Sequence, residues 1–122
     1  MSYRDLIAWK KAMELVKQIY DVTDSLPQQE MYGLVSQHRR AAVSIPSNIA
    51  EGQAHYTNPE FVRFLRHARG SLAEIETQLL IAQERGYISK DKLNDLIRYT
   101  DELGRVISGL ITSMTKTKGE KS

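Results

Sequence analysis

The sequence contains no cysteine, which removes disulfides, thiolate metal ligands and cysteine nucleophiles together and suits a reducing compartment. No apolar run approaches the roughly 18 residues that span a membrane, so no membrane partner is expected. Arg4 and Asp5 stand where a signal peptide would need an apolar stretch, and a cytoplasmic location is expected. Phosphate-binding signatures are missing as well: there is no G-x-x-x-x-G-K-[ST] and no glycine-rich turn between a strand and a helix. Glu-x-x-His pairs, His-Glu-x-x-His and calcium-loop spacing are absent, so neither a metal nor another cofactor is expected. Ser44, Ser47 and the three histidines sit on no strained turn with oxyanion donors, and no catalytic residue is assigned. The net charge of +2 is too small to imply a polyanionic partner by itself. Strand patterns and internal repeats are lacking too.

What the 122 residues do contain is helical periodicity, in a chain long enough for one domain with a single core. From about residue 4 to 24, Leu6, Trp9, Met13, Val16 and Tyr20 form one stripe, and Ala12, Leu15, Ile19 and Val22 form another beside it. Together they cover about half the circumference, wider than the roughly 100° one core requires, so this helix is expected to touch something besides its own bundle. Pro27 breaks the pattern. A second helix is expected over about 30–51, with Leu34, Ala41, Ile45 and Ile49 inside, a bend at Pro46 and Gly52 as its ending glycine. The third, about 58–85, opens with Asn58 as cap and Pro59 in the first turn, and Gly86 ends it. Its core positions Phe61, Leu65, Ala68, Leu72, Ile75, Leu79 and Ala82 alternate spacings of three and four, as helices packed nearly antiparallel require. Ser89 caps a fourth, about 90–114, with Leu93, Leu96, Ile97, Thr100, Leu103, Ile107, Leu110, Ile111 and Met114 inside. Residues 1–115 therefore read as one all-α domain, an antiparallel up-and-down four-helix bundle, and the polar, lysine-rich residues 116–122 as a disordered tail.

Charge is unevenly placed. Between residues 37 and 69 stand Arg39, Arg40, Arg63, Arg66 and Arg69 against only Glu51 and Glu60. Every cation there other than histidine is arginine, which favours anion recognition over mere solubility. On helical wheels Arg39 points away from the core, and Arg63 and Arg66 lie opposite the apolar stripe of the third helix. Arg39, Arg63, Arg66 and Arg69, with Lys10, Lys11 and Lys17 added from the first helix, form the candidate nucleic-acid surface, a solvated charged face being the competing explanation. Arg40, Asn48, Glu51 and Glu74 are expected to join a structural polar network or interface. His38 projects towards the core, where a hydrogen-bonded interior histidine is expected rather than a ligand. Gly70, with Ala41, Ala42 and Ala50, is expected to let helices approach closely. Tyr3, Tyr20, Tyr32, Tyr87 and Tyr99 suit an interface with one apolar and one wet edge, and Trp9, Ile19, Tyr20 and Tyr32 are the candidate contacts between copies.

Tyr32-Gly33-Leu34, Gln37, Arg39-Arg40-Ala41-Ala42, Ser44-Ile45 and Asn48-Ile49-Ala50-Glu51-Gly52 together resemble the signature of bacterial four-helix-bundle proteins encoded in intervening sequences of 23S ribosomal RNA genes. Phe61, Phe64-Leu65, Ala68, Gly70-Ser71 and Glu74 continue the resemblance, as do Trp9 and Ile19-Tyr20 upstream. It implies a ring-like homopentamer, similar to the accessory protein of diversity-generating retroelements, whose basic surface contacts nucleic acid and a reverse transcriptase. Two places depart from the pattern: His38 stands where an aliphatic residue is common, and Gln53-Ala54-His55-Tyr56-Thr57 replaces a connector that is often more basic.

The leading expectation is a non-enzymatic homo-oligomeric bundle that docks structured RNA or DNA through its arginines. The alternative is a protein-interaction scaffold that recruits a partner protein and never touches nucleic acid.

Overall fold

The computed structural model describes residues 2–55 and 57–119, with side chains described through Thr115. Its four long helices are α1 (Ile7–Asp24), α2 (Ser36–Gln53), α3 (Asn58–Glu84) and α4 (Lys90–Gly119). Short 3-10 turns at Tyr3–Asp5 and Gln28–Glu30 and a π-helical turn at Met31–Val35 complete the described chain. Each helix packs on the next and α4 returns against α1, so the fold is an antiparallel up-and-down four-helix bundle with α1 and α3 on a diagonal. Among the described residues no helix is long and apolar enough to cross a membrane.

The width of the apolar face on α1 resolves into two jobs. Ala8, Ala12, Leu15, Ile19 and Val22 enter the core. The stripe of Trp9, Met13 and Val16 instead borders an open groove against Val43, Pro46 and Ala50 of α2. Burying a leucine or isoleucine stabilises a fold by about 1.5–3 kcal/mol, and Leu15, Ile19, Ile45, Ile49, Leu65, Ile75, Leu79, Leu103 and Ile107 are all fully buried. The heptad positions expected for α3, from Phe61 to Ala82, are buried without exception.

Helix ends differ from expectation by small, explicable amounts. Thr57 rather than Asn58 caps α3, its hydroxyl accepting from the Glu60 amide, because its backbone is extended while Asn58 is already helical. At the other end Gly86 has φ +78°, and the bonds from Gly86 N to Gln83 O and from Tyr87 N to Ala82 O close a Schellman motif. The expected first turn of the second helix is the separate π-helical turn, and α2 then runs without interruption through Pro46 and Gly52. Helix α4 continues to Gly119, beyond the expected end at Met114, since nothing between Thr115 and Lys118 breaks a helix. The remainder of the expected tail, residues 120–122, lies outside the described residues.

Gly70 does not serve close approach: a methyl group added there would meet nothing within 4 Å. The residue that does is Gly52, where an added Cβ would lie 2.7 Å from Phe64 Cβ and 3.0 Å from Phe61 Cδ1. Gly52 therefore sets the approach of α2 to α3 and does not end α2.

Candidate nucleic-acid interface

Arg63, Arg66 and Arg69 follow one another at three-residue steps on α3. Each step turns about 300°, so the row drifts from the outermost face towards the seam with α4. Arg63 is already engaged: Nη2 is 2.9 Å from Glu60 Oε2, and its guanidinium lies 4.6 Å from the Phe64 ring centroid. Phe64 also carries His55 stacked at 5.2 Å. Arg66 is exposed beside Met114 and Thr115 of α4 and has no carboxylate within ion-pair distance among the described residues. Arg69 reaches across the seam, Nη1 donating to Ser108 Oγ at 3.3 Å. Arg105 on α4 faces the same seam and is exposed. Sequence reasoning passes over Arg105 when α4 is read only for its core, yet Arg98 and Arg105, seven residues apart, mark its outer face.

The remaining candidate cations do not join this row. Arg39 clamps the start of α2 to the end of α1: Nε donates to Thr23 Oγ1 at 2.8 Å, Nη2 pairs with Asp24 at 2.7 Å, and the guanidinium lies 4.6 Å from the Tyr20 ring centroid. Lys11 pairs with Glu102 at 2.8 Å, and that hydrogen bond raises its pKa. Lys10 and Lys17 are exposed on α1, whose outer face points away from that of its diagonal neighbour α3. One continuous face carrying all seven cations is thus not formed.

Nor do Arg40, Asn48, Glu51 and Glu74 bond to one another. Asn48 donates to the Ser44 carbonyl at 2.7 Å, Glu74 accepts a long bond from Gln78, and Arg40 and Glu51 project outwards into solvent. The polar bridge between α2 and α3 is instead the Ser44 hydroxyl donating to that of Ser71. His38 is interior as expected but poorly satisfied: Nε2 is 3.5 Å from the Ile75 carbonyl oxygen, and Nδ1 has no partner among the described residues.

Ile19, one candidate contact between copies, is fully buried in its own core and is corrected to a core residue. Tyr87 and Tyr99 are also used internally, donating to Glu30 at 2.8 Å and to the Lys11 carbonyl at 2.9 Å. Met13 (44% exposed), Val43 (41%), Tyr20 (40%) and Tyr32 (96%) remain open, with Trp9 half-buried beside Tyr3.

Along the seam between α3 and α4 runs a groove of about 380 Å³ whose walls carry Arg69, Glu76, Asp101 and Arg105. The buried Thr100 hydroxyl donates to Glu76 Oε2 at 2.6 Å. Partial burial pushes the Glu76 carboxyl up, against the Thr100 hydrogen bond, and contact with the Asp101 carboxyl adds to the rise. Among the described residues no cluster of three His, Asp or Glu could hold a metal ion.

A family model described as 23S rRNA-intervening sequence protein matches residues 4–109, almost the whole bundle. The chain belongs to this family. A crystal structure of a protein of unknown function from the S23 ribosomal protein family of Bacteroides thetaiotaomicron is similar to it, with a TM-score of 0.80 and 21% identity over 86% of this chain and 98% of that one. No curated protein matches the chain. In this chain α3 and α4 pack side by side, and their shared outer face carries Arg66, Arg69 and Arg105.

Proposed function

We propose that this intervening-sequence protein is a non-enzymatic, cytoplasmic bundle that assembles with copies of itself and binds RNA or DNA phosphates through the outer face of α3 and α4. The observation that carries the nucleic-acid reading is that Arg66, Arg69 and Arg105 share this face while none of them belongs to an ion pair among the described residues. Arginine forks unspent on carboxylates suit phosphate oxygens. Arg63 sits one turn away and becomes available wherever phosphate displaces Glu60. Gel-shift binding to structured ribosomal RNA and to duplex DNA tests this. Changing Arg66 and Arg105 to Ala is expected to weaken binding to any sequence and to flatten the dependence of log affinity on log salt by about one for each phosphate that is no longer neutralised. Unchanged affinity and slope, or no binding at low salt, would count against the reading.

Self-assembly is supported by the open apolar strip of Met13, Tyr20 and Val43 around the half-buried Trp9 and Val16. Light scattering is expected to give a mass several times the 13.9 kDa chain, and a fivefold mass would match the ring. Met13→Glu with Val43→Glu is expected to reduce it to the single-chain mass, since two carboxylates in an apolar contact are strongly disfavoured. A single-chain mass for the unaltered protein at high concentration would remove this part of the proposal.

The scaffold reading draws on Tyr32, which stands 96% exposed at the π-helical turn with Met31 beside it. A partner protein retained in pull-downs after nuclease treatment would favour it over nucleic-acid binding.

A further inference from the structure

The groove between α3 and α4 holds two arginines that pair with no carboxylate among the described residues and, between them, the carboxyls of Glu76 and Asp101, which touch only each other among the charged groups. None of the four ion pairs among the described residues includes Arg69, Arg105, Glu76 or Asp101, although all four line the same groove. On exposed helices such charges ordinarily find opposite partners at three- or four-residue spacing or across the seam. With the arginines kept from the carboxyls, they present a ligand with anion-binding forks at the sides and the adjoining carboxyl oxygens between them. The floor is apolar and low: Leu72 and Ala73 come from α3 and Gly104 from α4. A flat ring therefore meets an apolar surface there, with no side chain on Gly104 to hold it off.

We infer that this groove reads guanine in single-stranded nucleic acid, Glu76 and Asp101 accepting from the base while Arg69 and Arg105 hold the neighbouring phosphates. This deepens, and rests on, the nucleic-acid reading above. Guanine is chosen by its donor pattern. Its N1–H and N2 amino group are adjacent donors and can meet carboxylate oxygens side by side. Uracil offers one donor between two acceptors, and adenine and cytosine set their amino group beside an acceptor, so each would press a base acceptor against a carboxylate. That edge is free only in unpaired bases, as in the loops and ends that RNA-binding proteins read. Thr100, fully buried, holds Glu76 Oε2 at 2.6 Å and so fixes the carboxyl plane before any ligand arrives. Partial burial, the same cause that pushes Glu76 up, leaves this carboxyl short of water and receptive to donors.

Fluorescence anisotropy with a short oligouridine, and with the same strand carrying central guanosine or inosine, tests the assignment at low salt. The guanosine strand is expected to bind about tenfold tighter than oligouridine, and inosine, which lacks the N2 amino group, to lose most of that gain. Glu76→Gln and Asp101→Asn are each expected to erase the preference, and to raise oligouridine affinity because each removes a negative charge from between the phosphate-binding arginines. Equal binding of the uridine and guanosine strands by the unaltered protein overturns the inference and leaves the arginine reading standing. A preference that survives both substitutions overturns the role of the carboxyls. No binding of any strand overturns both proposals.

Discussion

Acidification from about pH 6.5 to below 4 is expected to remove about 3 kcal/mol of stability through His38 alone. The side chain is 1% exposed, and desolvation by burial lowers its pKa from 6.5 to about 4. Between these values the unfolded chain binds a proton that the folded chain refuses, so stability falls as pH falls and the loss is complete below the folded value. Urea unfolding over this range reads the effect, with His38→Leu as the reference. Leucine removes the titrating ring and the unpartnered Nδ1 together, so the variant is expected to lack this component of the pH slope and to be at least as stable at pH 7. Subtracting the two curves cancels the carboxylates that titrate nearby, Glu76 among them. Parallel curves for the two proteins would show that His38 is not the group responsible.

Gly52→Ala is expected to destabilise the bundle by about 2 kcal/mol, roughly 8 °C in Tm, although alanine is the better helix former by about 1 kcal/mol. The new methyl would stand 2.7 Å from Phe64 Cβ, an atom fixed to the α3 backbone that cannot swing aside, so the two helices must part. The internal control is Gly70→Ala. It has open space around it and no positive φ, so it is expected to gain up to about 1 kcal/mol. Thermal melts of the two variants should therefore move in opposite directions. Equal shifts of one sign would mean that helix propensity, and not the approach of α2 to α3, governs both sites.

This contrast shows how far the sequence could be read. The linear pattern makes Gly52 a helix end and gives close approach to Gly70; only the position of Phe61 and Phe64 opposite Gly52 shows which glycine is required and which is tolerated. The same holds for the cations. Arg39 and Arg66 are both outward on their wheels, but Arg39 happens to lie within reach of Thr23, Asp24 and Tyr20, whereas Arg66 faces Met114 and Thr115. Arg105 could have been found by extending the outward-face count to α4, while the unpaired charges of its groove could not, because they depend on the lateral fit of two helices.

By itself the sequence determined the number of helices, the core stripe of α3, the stop at Gly86 and the class of fold, since each follows from contacts within one or two turns and from the 3.6-residue period. Tertiary structure alone decided which stripe on α1 is buried, which glycine is indispensable and which arginines are left without a carboxylate. Such outcomes turn on pairs such as Lys11 and Glu102, 91 residues apart, whose meeting depends on how the helices rotate and slide when they pack.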